Sequence, residues 1–151
     1  MVSNTRGDTT KGDFKSYNYP DRNLVIKWTD NSRGDGAAIR DAEVNAKNLT
    51  INANFSGNER TDKGVISDAA THIKASGDIN IATNNDSVYT EGKGTTTIEG
   101  FKNLNITSSI AGYGLVDNGG GITVSGGTGS SVTIKNSGLA WDAHPTVGNS
   151  L

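Results

Sequence analysis

The chain has 151 residues, of which only 32% are hydrophobic and 6% aromatic, and its formal net charge is −2. This length is enough for one domain with a buried core, but a sequence pI near 5.6 excludes the basic surface that a nucleic-acid partner would require. The chain has no run of 18 apolar residues, so we expect no membrane span in this segment.

The N-terminal segment, residues 1–22, begins with MVSNTRGDTT, which lacks the apolar stretch of a signal peptide. It also holds the densest aromatic cluster of the chain, formed by Phe14, Tyr17 and Tyr19 together with Pro20. We predict that this segment is either a leader or a cap over the first repeat of the domain that follows.

Short apolar segments with β-branched residues then recur along the chain. The segments are Leu24-Val25-Ile26, Leu49-Thr50-Ile51, Ile79-Asn80-Ile81, Leu104-Asn105-Ile106, Ile122-Thr123-Val124 and Val132-Thr133-Ile134. In all but the first, a polar residue separates two apolar ones, which is the pattern of a strand with one buried side. Weaker strands around Ile73 and Ile98 are predicted six residues before two of these segments.

The spacing of the segments is regular. The interval from Leu24 to Leu49 equals the interval from Ile79 to Leu104, whereas the interval from Leu49 to Ile79 is five residues longer. Glycine, asparagine and aspartate fill the intervals, as in TEGKG at 90–94, and these residues favour tight turns. Residues 36–46 come nearest to a helix, but Ile39, Val44 and Leu49 recur every five residues, which predicts strands instead.

A strand pattern that returns at such an interval is typical of a solenoid, in which stacked coils share one narrow apolar core. An antiparallel sandwich is the alternative, because it also has short strands at close spacing. The recurring interval favours an all-β, right-handed parallel β-helix (β-solenoid) with roughly 25-residue coils. We therefore predict a solenoid over 23–136, and a C-terminal cap or tail over 137–151. Asn or Thr at like positions of the solenoid can form ladders between coils.

Three segments carry a family resemblance: KNLTINANFSG at 47–57, SGDINIATNN at 76–85 and KNLNITSSIAG at 102–112. They resemble the passenger repeats of bacterial autotransporters and of filamentous-haemagglutinin-like surface adhesins, whose passengers are right-handed parallel β-helices. The resemblance implies a secreted or cell-surface fragment, anchored to the outer membrane in the full-length protein. The implied partners are a host cell-surface or matrix protein or a glycan, or a neighbouring cell in self-association.

The tripeptide Arg-Gly-Asp occurs twice, as Arg6-Gly7-Asp8 and as Arg33-Gly34-Asp35. Integrins recognise this sequence because the Arg and the Asp carboxylate, separated by a permissive glycine, bridge a charged cleft and its metal ion. Both copies lie in polar stretches where an exposed loop is expected. We therefore treat these six residues as candidate ligand-binding residues and integrin as a candidate partner. A composition rich in glycine and aspartate would also produce such tripeptides without a function.

Parallel β-helices also include polysaccharide lyases and glycosidases, so a carbohydrate-active β-helix is the alternative function. Such enzymes need clustered carboxylates, or calcium-binding aspartates with a basic residue, on one face. Trp141-Asp142-Ala143-His144 is faintly similar to a run found in pectate lyases, but its spacing differs. His72 is interpreted as a surface position. We predict no enzyme activity, no catalytic residue and no cofactor.

Two further segments do not match the motifs that they resemble. The segment at 30–41 has the glycine of a calcium-binding EF-hand loop, but Arg33 and Ala42 would then occupy ligand positions. The glycine-rich segment at 117–130 lacks the Gly-Lys-Ser/Thr ending of a phosphate-binding loop. The sequence therefore predicts no metal site, and its strong features favour a structural or adhesive role.

Overall fold

Every element of the computed structural model is a β-strand. The model describes residues 2–6, 14–30, 36–55, 63–109, 112–136, 141–142 and 146–149. The strands are β1 (Val2–Arg6), β2 (Phe14–Asp30), β3 (Ala37–Phe55), β4 (Lys63–Ser67), β5 (Ala70–Ala75), β6 (Asp78–Thr83), β7 (Val88–Glu91), β8 (Thr95–Glu99), β9 (Asn103–Ser108), β10 (Leu115–Asn118), β11 (Gly121–Gly126), β12 (Ser131–Asn136), β13 (Trp141–Asp142) and β14 (Thr146–Asn149). The coils contain about 26 residues each and make about four turns. The predicted β-solenoid is confirmed, with coils close to the expected length.

The strands form three parallel ladders, which we call faces A, B and C. Face A contains β4, β7, β10 and β13, face B contains β5, β8, β11 and β14, and face C contains β6, β9 and β12. The long strand β3 pairs with all three faces in turn, and β2 pairs with β3 along most of its length. Successive coils therefore run A, B, C, and each coil contacts the next through parallel hydrogen-bonded strands.

The core of face C consists of two apolar columns. The first column contains Leu24, Leu49, Ile79, Leu104 and Val132, and the second contains Ile26, Ile51, Ile81, Ile106 and Ile134. The first four members of each column are at most 1% exposed. The predicted interior stack of Leu49, Ile51, Ile79, Ile81, Leu104 and Ile106 across three coils is therefore confirmed. The weaker strands expected around Ile73 and Ile98 are also confirmed, as β5 and β8.

Residues 37–46 are extended, as the five-residue spacing predicts, and belong to β3. Ile39 pairs with Val65 on face A, Val44 with Ile73 on face B, and Leu49 with Ile79 on face C. The chain bends at Asp41, whose φ is +47°, a conformation that aspartate tolerates better than most residues. The Asp41 carboxylate accepts the N–H groups of Asp68 and Ala69 in the next coil, at 2.9 and 2.8 Å.

A ladder of polar side chains runs along the edge of face C where its strands begin. Asn48 donates to Asn23 at 2.9 Å, and its own Oδ1 accepts the backbone N–H of Asp78 at 2.7 Å. Asn103 then donates to Asp78 at 2.9 Å, and Ser131 donates to Asn103 at 2.7 Å. The ladder crosses five successive strands of the face, so the predicted role of asparagine at like positions is confirmed here. The ladder gives hydrogen-bond partners to the polar groups that lie beside the core of face C.

Face A differs at β4, which is buried on both sides. All five residues of β4 are buried, and Val116 of β10 is only 3% exposed. The β4 lysine, Lys63, forms an ion pair with Asp86 at 2.8 Å, and its ammonium lies 4.9 Å from the centre of the Tyr89 ring. The other carboxylate oxygen of Asp86 accepts the backbone N–H of Tyr113 at 2.8 Å. This polar corner joins the strands of faces C and A.

Glycine residues form a turn between coils where the sequence predicts one. In the TEGKG turn, Gly92 has a φ of +64°, and a Cβ built on Gly94 would lie 1.9 Å from the carbonyl oxygen of Ser67 in the previous coil. Only glycine allows this approach, because that distance is far below van der Waals contact. The turn therefore fixes the stacking of two coils as well as the direction of the chain.

The described parts of the two terminal segments pair with the stack. β1 pairs in parallel with β2, from Val2 opposite Leu24 to Arg6 opposite Trp28, while β13 pairs with β10 and β14 with β11. The division into 1–22, 23–136 and 137–151, with the outer parts as caps, stays a prediction. If residues 1–20 are a cap, their deletion will produce soluble aggregates or a large drop in melting temperature, and an equally stable monomer would contradict it.

Candidate functional site

A cluster of three titratable side chains lies on the outer surface of face B. His72 of β5 lies between two glutamates: its Nδ1 is 2.8 Å from Oε1 of Glu43, and its Nε2 is 2.7 Å from Oε2 of Glu99. The side chain of His72 is 36% exposed, and those of Glu43 and Glu99 are 71% and 40% exposed. One imidazole thus bridges carboxylates from the coil before and the coil after its own.

The register of the ladder explains this arrangement. Glu43 of β3 pairs directly with His72, whereas Glu99 of β8 pairs with Lys74, two residues farther along β5. Neighbouring strands are about 4.8 Å apart, so long side chains pointing outward from adjacent coils can meet. Strict alternation brings all of these residues to the outer surface, because Ile73 between them is fully buried.

The two carboxylates set the charge of the histidine. Partial burial lowers the pKa of His72, but the hydrogen bonds to Glu99 and Glu43, together with their negative charges, raise it more. The net result is a pKa above the ordinary value of 6.5. The protonated imidazole donates both of its N–H groups, one to each glutamate. This cluster can therefore bind and release a proton, and its carboxylates can also accept hydrogen bonds from a ligand.

A groove of about 360 Å³ adjoins the cluster on face B. It is lined by Thr97, Glu99, Gly100, Thr123, Ser125, Gly126 and Gly127. Thr97 and Thr123 pair directly in adjacent coils, and so do Glu99 and Ser125. The groove therefore presents hydroxyl groups and one carboxylate at the fixed spacing of the strands, beside glycine backbone that a ligand can approach closely.

A second groove of about 290 Å³ lies where the strands of face C end. It is lined by Asn52, Ala53, Asn54, Ala82, Thr83, Asn84, Thr107 and Ser109. Most of the lining residues carry amide or hydroxyl groups, which can donate and accept hydrogen bonds, but the surface of the groove is mainly apolar. Both grooves therefore suit a ligand that presents apolar surface together with hydrogen-bonding groups.

Of the six residues predicted to bind integrin, only Arg6 lies among the described residues, so the prediction stays untested. Arg6 ends β1 opposite Trp28, whereas Gly7, Asp8, Arg33, Gly34 and Asp35 lie outside the described residues. The lyase-like run is divided in the same way: Trp141 and Asp142 form β13, while His144 lies outside the described part. Neither motif therefore contributes described side chains to a site.

From the sequence alone, His72 is interpreted as a surface position, and neither it nor its partners are identified as a site. The surface position predicted for His72 is consistent with its 36% exposed side chain. The signal for the partners was present, because Glu43 precedes His72 by about one coil and Glu99 follows it by about one coil. These spacings identify Glu43 and Glu99 as partners of His72 only once the register of the coils is known.

Two searches of the described residues gave negative results. No group of three or more His, Cys, Asp or Glu side chains in this part of the chain is placed to hold a metal ion. No described helix is long and apolar enough to cross a membrane.

Comparison with known proteins gave no relatives. No family model matches the chain, and no curated protein or solved structure is significantly similar to it.

Proposed function

We propose that this chain is a segment of a secreted or cell-surface bacterial adhesin passenger, which binds ligands through exposed side chains and loops. The observation that carries the proposal is the repeated outward array of hydroxyl, amide and carboxylate groups on faces B and C, with the two grooves that it lines. The resemblance of the three repeat segments to adhesin passengers supports the same role.

The physical argument rests on preorganisation. Side chains held by stacked strands lose little freedom on binding, so a ligand gains more from each hydrogen bond than it would from a mobile loop. Because outward polar side chains occur on successive coils, a long or multivalent ligand can engage several of them at once. A host surface or matrix protein, a glycan, or the surface of a neighbouring cell would provide such a ligand.

The first test measures attachment of beads coated with the protein to cultured host cells. Thr97→Lys with Thr123→Lys blocks the face B groove, and Asn52→Lys with Thr107→Lys blocks the face C groove. These side chains point outward, so we expect stability to change by about 0.5 kcal/mol or less per site. At least one pair of substitutions should reduce attachment several-fold, with the other pair as its control. If both variants attach like the unmodified protein, the grooves are not the adhesive surface.

The second test concerns the two Arg-Gly-Asp tripeptides. Asp8→Glu combined with Asp35→Glu keeps both charges but moves each carboxylate by one methylene. An integrin cleft that reads this geometry through its metal ion would reject the variant, and a chelator would abolish attachment of the unmodified protein. We expect attachment to persist in the double variant, through a ligand other than integrin. Loss of attachment in both measurements would identify integrin as the receptor.

A carbohydrate-active β-helix is the second candidate function, because Glu43 and Glu99 lie on one exposed face next to a groove. Paired carboxylates are the usual catalytic groups of glycoside hydrolysis. Incubation with a panel of polysaccharides, followed by measurement of new reducing ends and unsaturated products, tests this candidate. Glu99→Gln is the matched control, and equal product with both proteins would reject catalysis at this cluster.

A further inference from the structure

The outward-pointing residues of face C are in register from coil to coil. On the strands β3, β6 and β9 they form two columns: Thr50, Asn80 and Asn105 in the first, and Asn52, Ala82 and Thr107 in the second. None of the six is charged, and all of them are at least partly exposed. The outer side of face C therefore presents neutral side chains at the fixed spacing of the strands.

The polar groups of these columns are available to a ligand. Asn105 donates a hydrogen bond to Oδ1 of Asn80 at 2.9 Å, which holds both amides in place. Asn52 and Thr107 line the face C groove, and neither side chain has a hydrogen-bond partner among the described residues. A ligand can therefore bond to these two groups without breaking a contact within the chain.

The face C groove follows the axis of the stack, because its lining comes from three successive coils. In the second outward column, Ala82 lies between Asn52 and Thr107 and has a shorter side chain than either. The groove surface is mainly apolar, so a ligand seated on it would contact methyl groups and hydrogen-bonding groups at the same time.

We propose that this groove binds a neutral, linear polysaccharide whose chain runs along the axis of the stack. The inference rests on the adhesive function proposed above and specifies the ligand of one of its two grooves. A sugar ring has apolar C–H faces and hydroxyl groups that both donate and accept, as do the amides and hydroxyls of the lining. Neighbouring strands are about 4.8 Å apart, and each sugar of an extended polysaccharide advances its chain by nearly the same distance. Successive sugars would therefore meet corresponding side chains of successive coils.

The charges around the groove favour a neutral ligand. The described lining contains no ionisable side chain. Lys27 and Lys135 continue the second outward column into the coils before and after the groove, so they flank it and do not line it. A charged polymer would lose part of its hydration in the groove without an opposite charge to compensate along most of its length.

The pairing of the strands disfavours an extended peptide as the ligand. A peptide that adds to a sheet needs a free strand edge, but β6 is paired with β3 and β9, and β9 with β6 and β12. A peptide laid along the axis would rise about 3.3 Å per residue and present one side chain in two to the groove. Neither interval matches the spacing of the coils, so its side chains would fall out of register.

Affinity electrophoresis of the whole chain tests the class of ligand. Native gels would contain a soluble β-glucan, a mannan or a galactan as the neutral probe, and polygalacturonate as the charged probe. We expect at least one neutral polymer to retard the chain more strongly than polygalacturonate does. If no neutral polymer retards the chain, or if polygalacturonate does so equally well, the proposal is wrong.

A matched pair of substitutions tests the position of the ligand. Ala82→Lys places a long charged side chain in the middle of the groove and should weaken binding of the retarding polymer several-fold. Ala70→Lys adds the same group at an exposed position of β5 on face B, and it should bind like the unmodified chain. Thr107→Val, which keeps the shape of the side chain but removes its hydroxyl, should also weaken binding and does not depend on how Ala82→Lys folds. Unchanged binding by Ala82→Lys and Thr107→Val would place the ligand elsewhere.

The length of the ligand tests its direction. Calorimetric titration with oligosaccharides of the retarding polymer should give a dissociation constant that falls several-fold with each added sugar. It should level off at three or four sugars, because the groove crosses three coils. The same dissociation constant for a disaccharide and a hexasaccharide would contradict a ligand that runs along the axis.

The bead assay separates this inference from the adhesive function on which it rests. If Asn52→Lys with Thr107→Lys reduces attachment to cells but no neutral polysaccharide binds, the groove is adhesive and its ligand belongs to another class. If neither pair of groove substitutions reduces attachment, the adhesive function of the grooves fails, whereas neutral polysaccharide binding that is lost in Ala82→Lys would still support the inference.

Discussion

Faces A and C of the same coils differ in which residues of their strands are buried. In β6 of face C, buried Ile79 and Ile81 alternate with exposed Asn80, whereas every residue of β4 in face A is buried. On face C the polar residues between the two apolar columns lie outside the core, and those where its strands begin form a ladder, whereas face A encloses an ion pair between Lys63 and Asp86. One solenoid thus combines a face whose strands can be predicted from alternating apolar and polar residues with a face that contains buried polar contacts.

The largest effect is expected from a charge placed in the core of face C. Ile81→Asp removes a side chain worth roughly 2–5 kcal/mol in such positions and buries a carboxylate without a partner. We expect the domain to unfold, because total stability is only about 5–15 kcal/mol. The adjacent Asn80→Asp places the same group in solvent, and its thermal midpoint should change little. Equal tolerance of the two substitutions would show that the register is wrong.

The buried ion pair of face A should come next. Lys63→Met leaves the Asp86 carboxylate buried without its cation, which typically costs about 3–5 kcal/mol. Adding Asp86→Asn removes that charge and keeps an oxygen that can accept the N–H of Tyr113. The double variant should therefore be more stable than Lys63→Met alone, as measured by urea unfolding. If the double variant is destabilised by the sum of the effects of the two single substitutions, the two groups do not interact.

Apolar burial on both sides of β4 can be tested with Ile66, which is 1% exposed. Ile66→Ala should lower the free energy of unfolding by about 2–5 kcal/mol. The matched change on face C is Asn80→Ala, which removes an exposed side chain and should cost about 0.5 kcal/mol or less. If the two substitutions have similar effects in denaturant titrations, the difference between the faces is not energetic.

The smallest effect is expected on face B, where the cluster of His72, Glu43 and Glu99 is partly exposed to solvent. Because folding raises the pKa of His72, its contribution to stability is complete below the unfolded value of about 6.5 and is lost as the pH rises through the folded value. The contribution should be small, since water and salt screen a side chain that is more than a third exposed.

Nuclear magnetic resonance titration of His72, with Glu99→Gln as the comparison, measures the effect of the cluster directly. The substitution should lower the pKa of His72 and flatten the decline of the thermal midpoint with rising pH. An unchanged pKa in the variant would show that the contact with Glu99 does not form in solution.

The sequence was sufficient to predict the coils, because Leu49, Ile79 and Leu104 repeat the same alternation at nearly constant intervals. It was not sufficient to predict β4 of face A, because Lys63 and Ser67 are polar and the strand therefore lacks a recognisable apolar pattern. Asp86 follows Lys63 by almost a full coil, so their pairing is evident only from the stacked coils. The cluster around His72 was missed for the same physical reason, since its glutamates come from different coils.

The constant direction of the hydrogen bonds between coils has a mechanical consequence. These bonds lie along the axis of the stack, so a pulling force applied at the two ends loads them a few at a time and peels one coil away before the next. A coil of about 26 residues adds about 4.8 Å to the folded length but releases roughly 90 Å of extended chain. Stretching should therefore give a series of low-force steps of nearly equal size. A molecule of this kind would behave as an extensible tether that yields in stages instead of breaking.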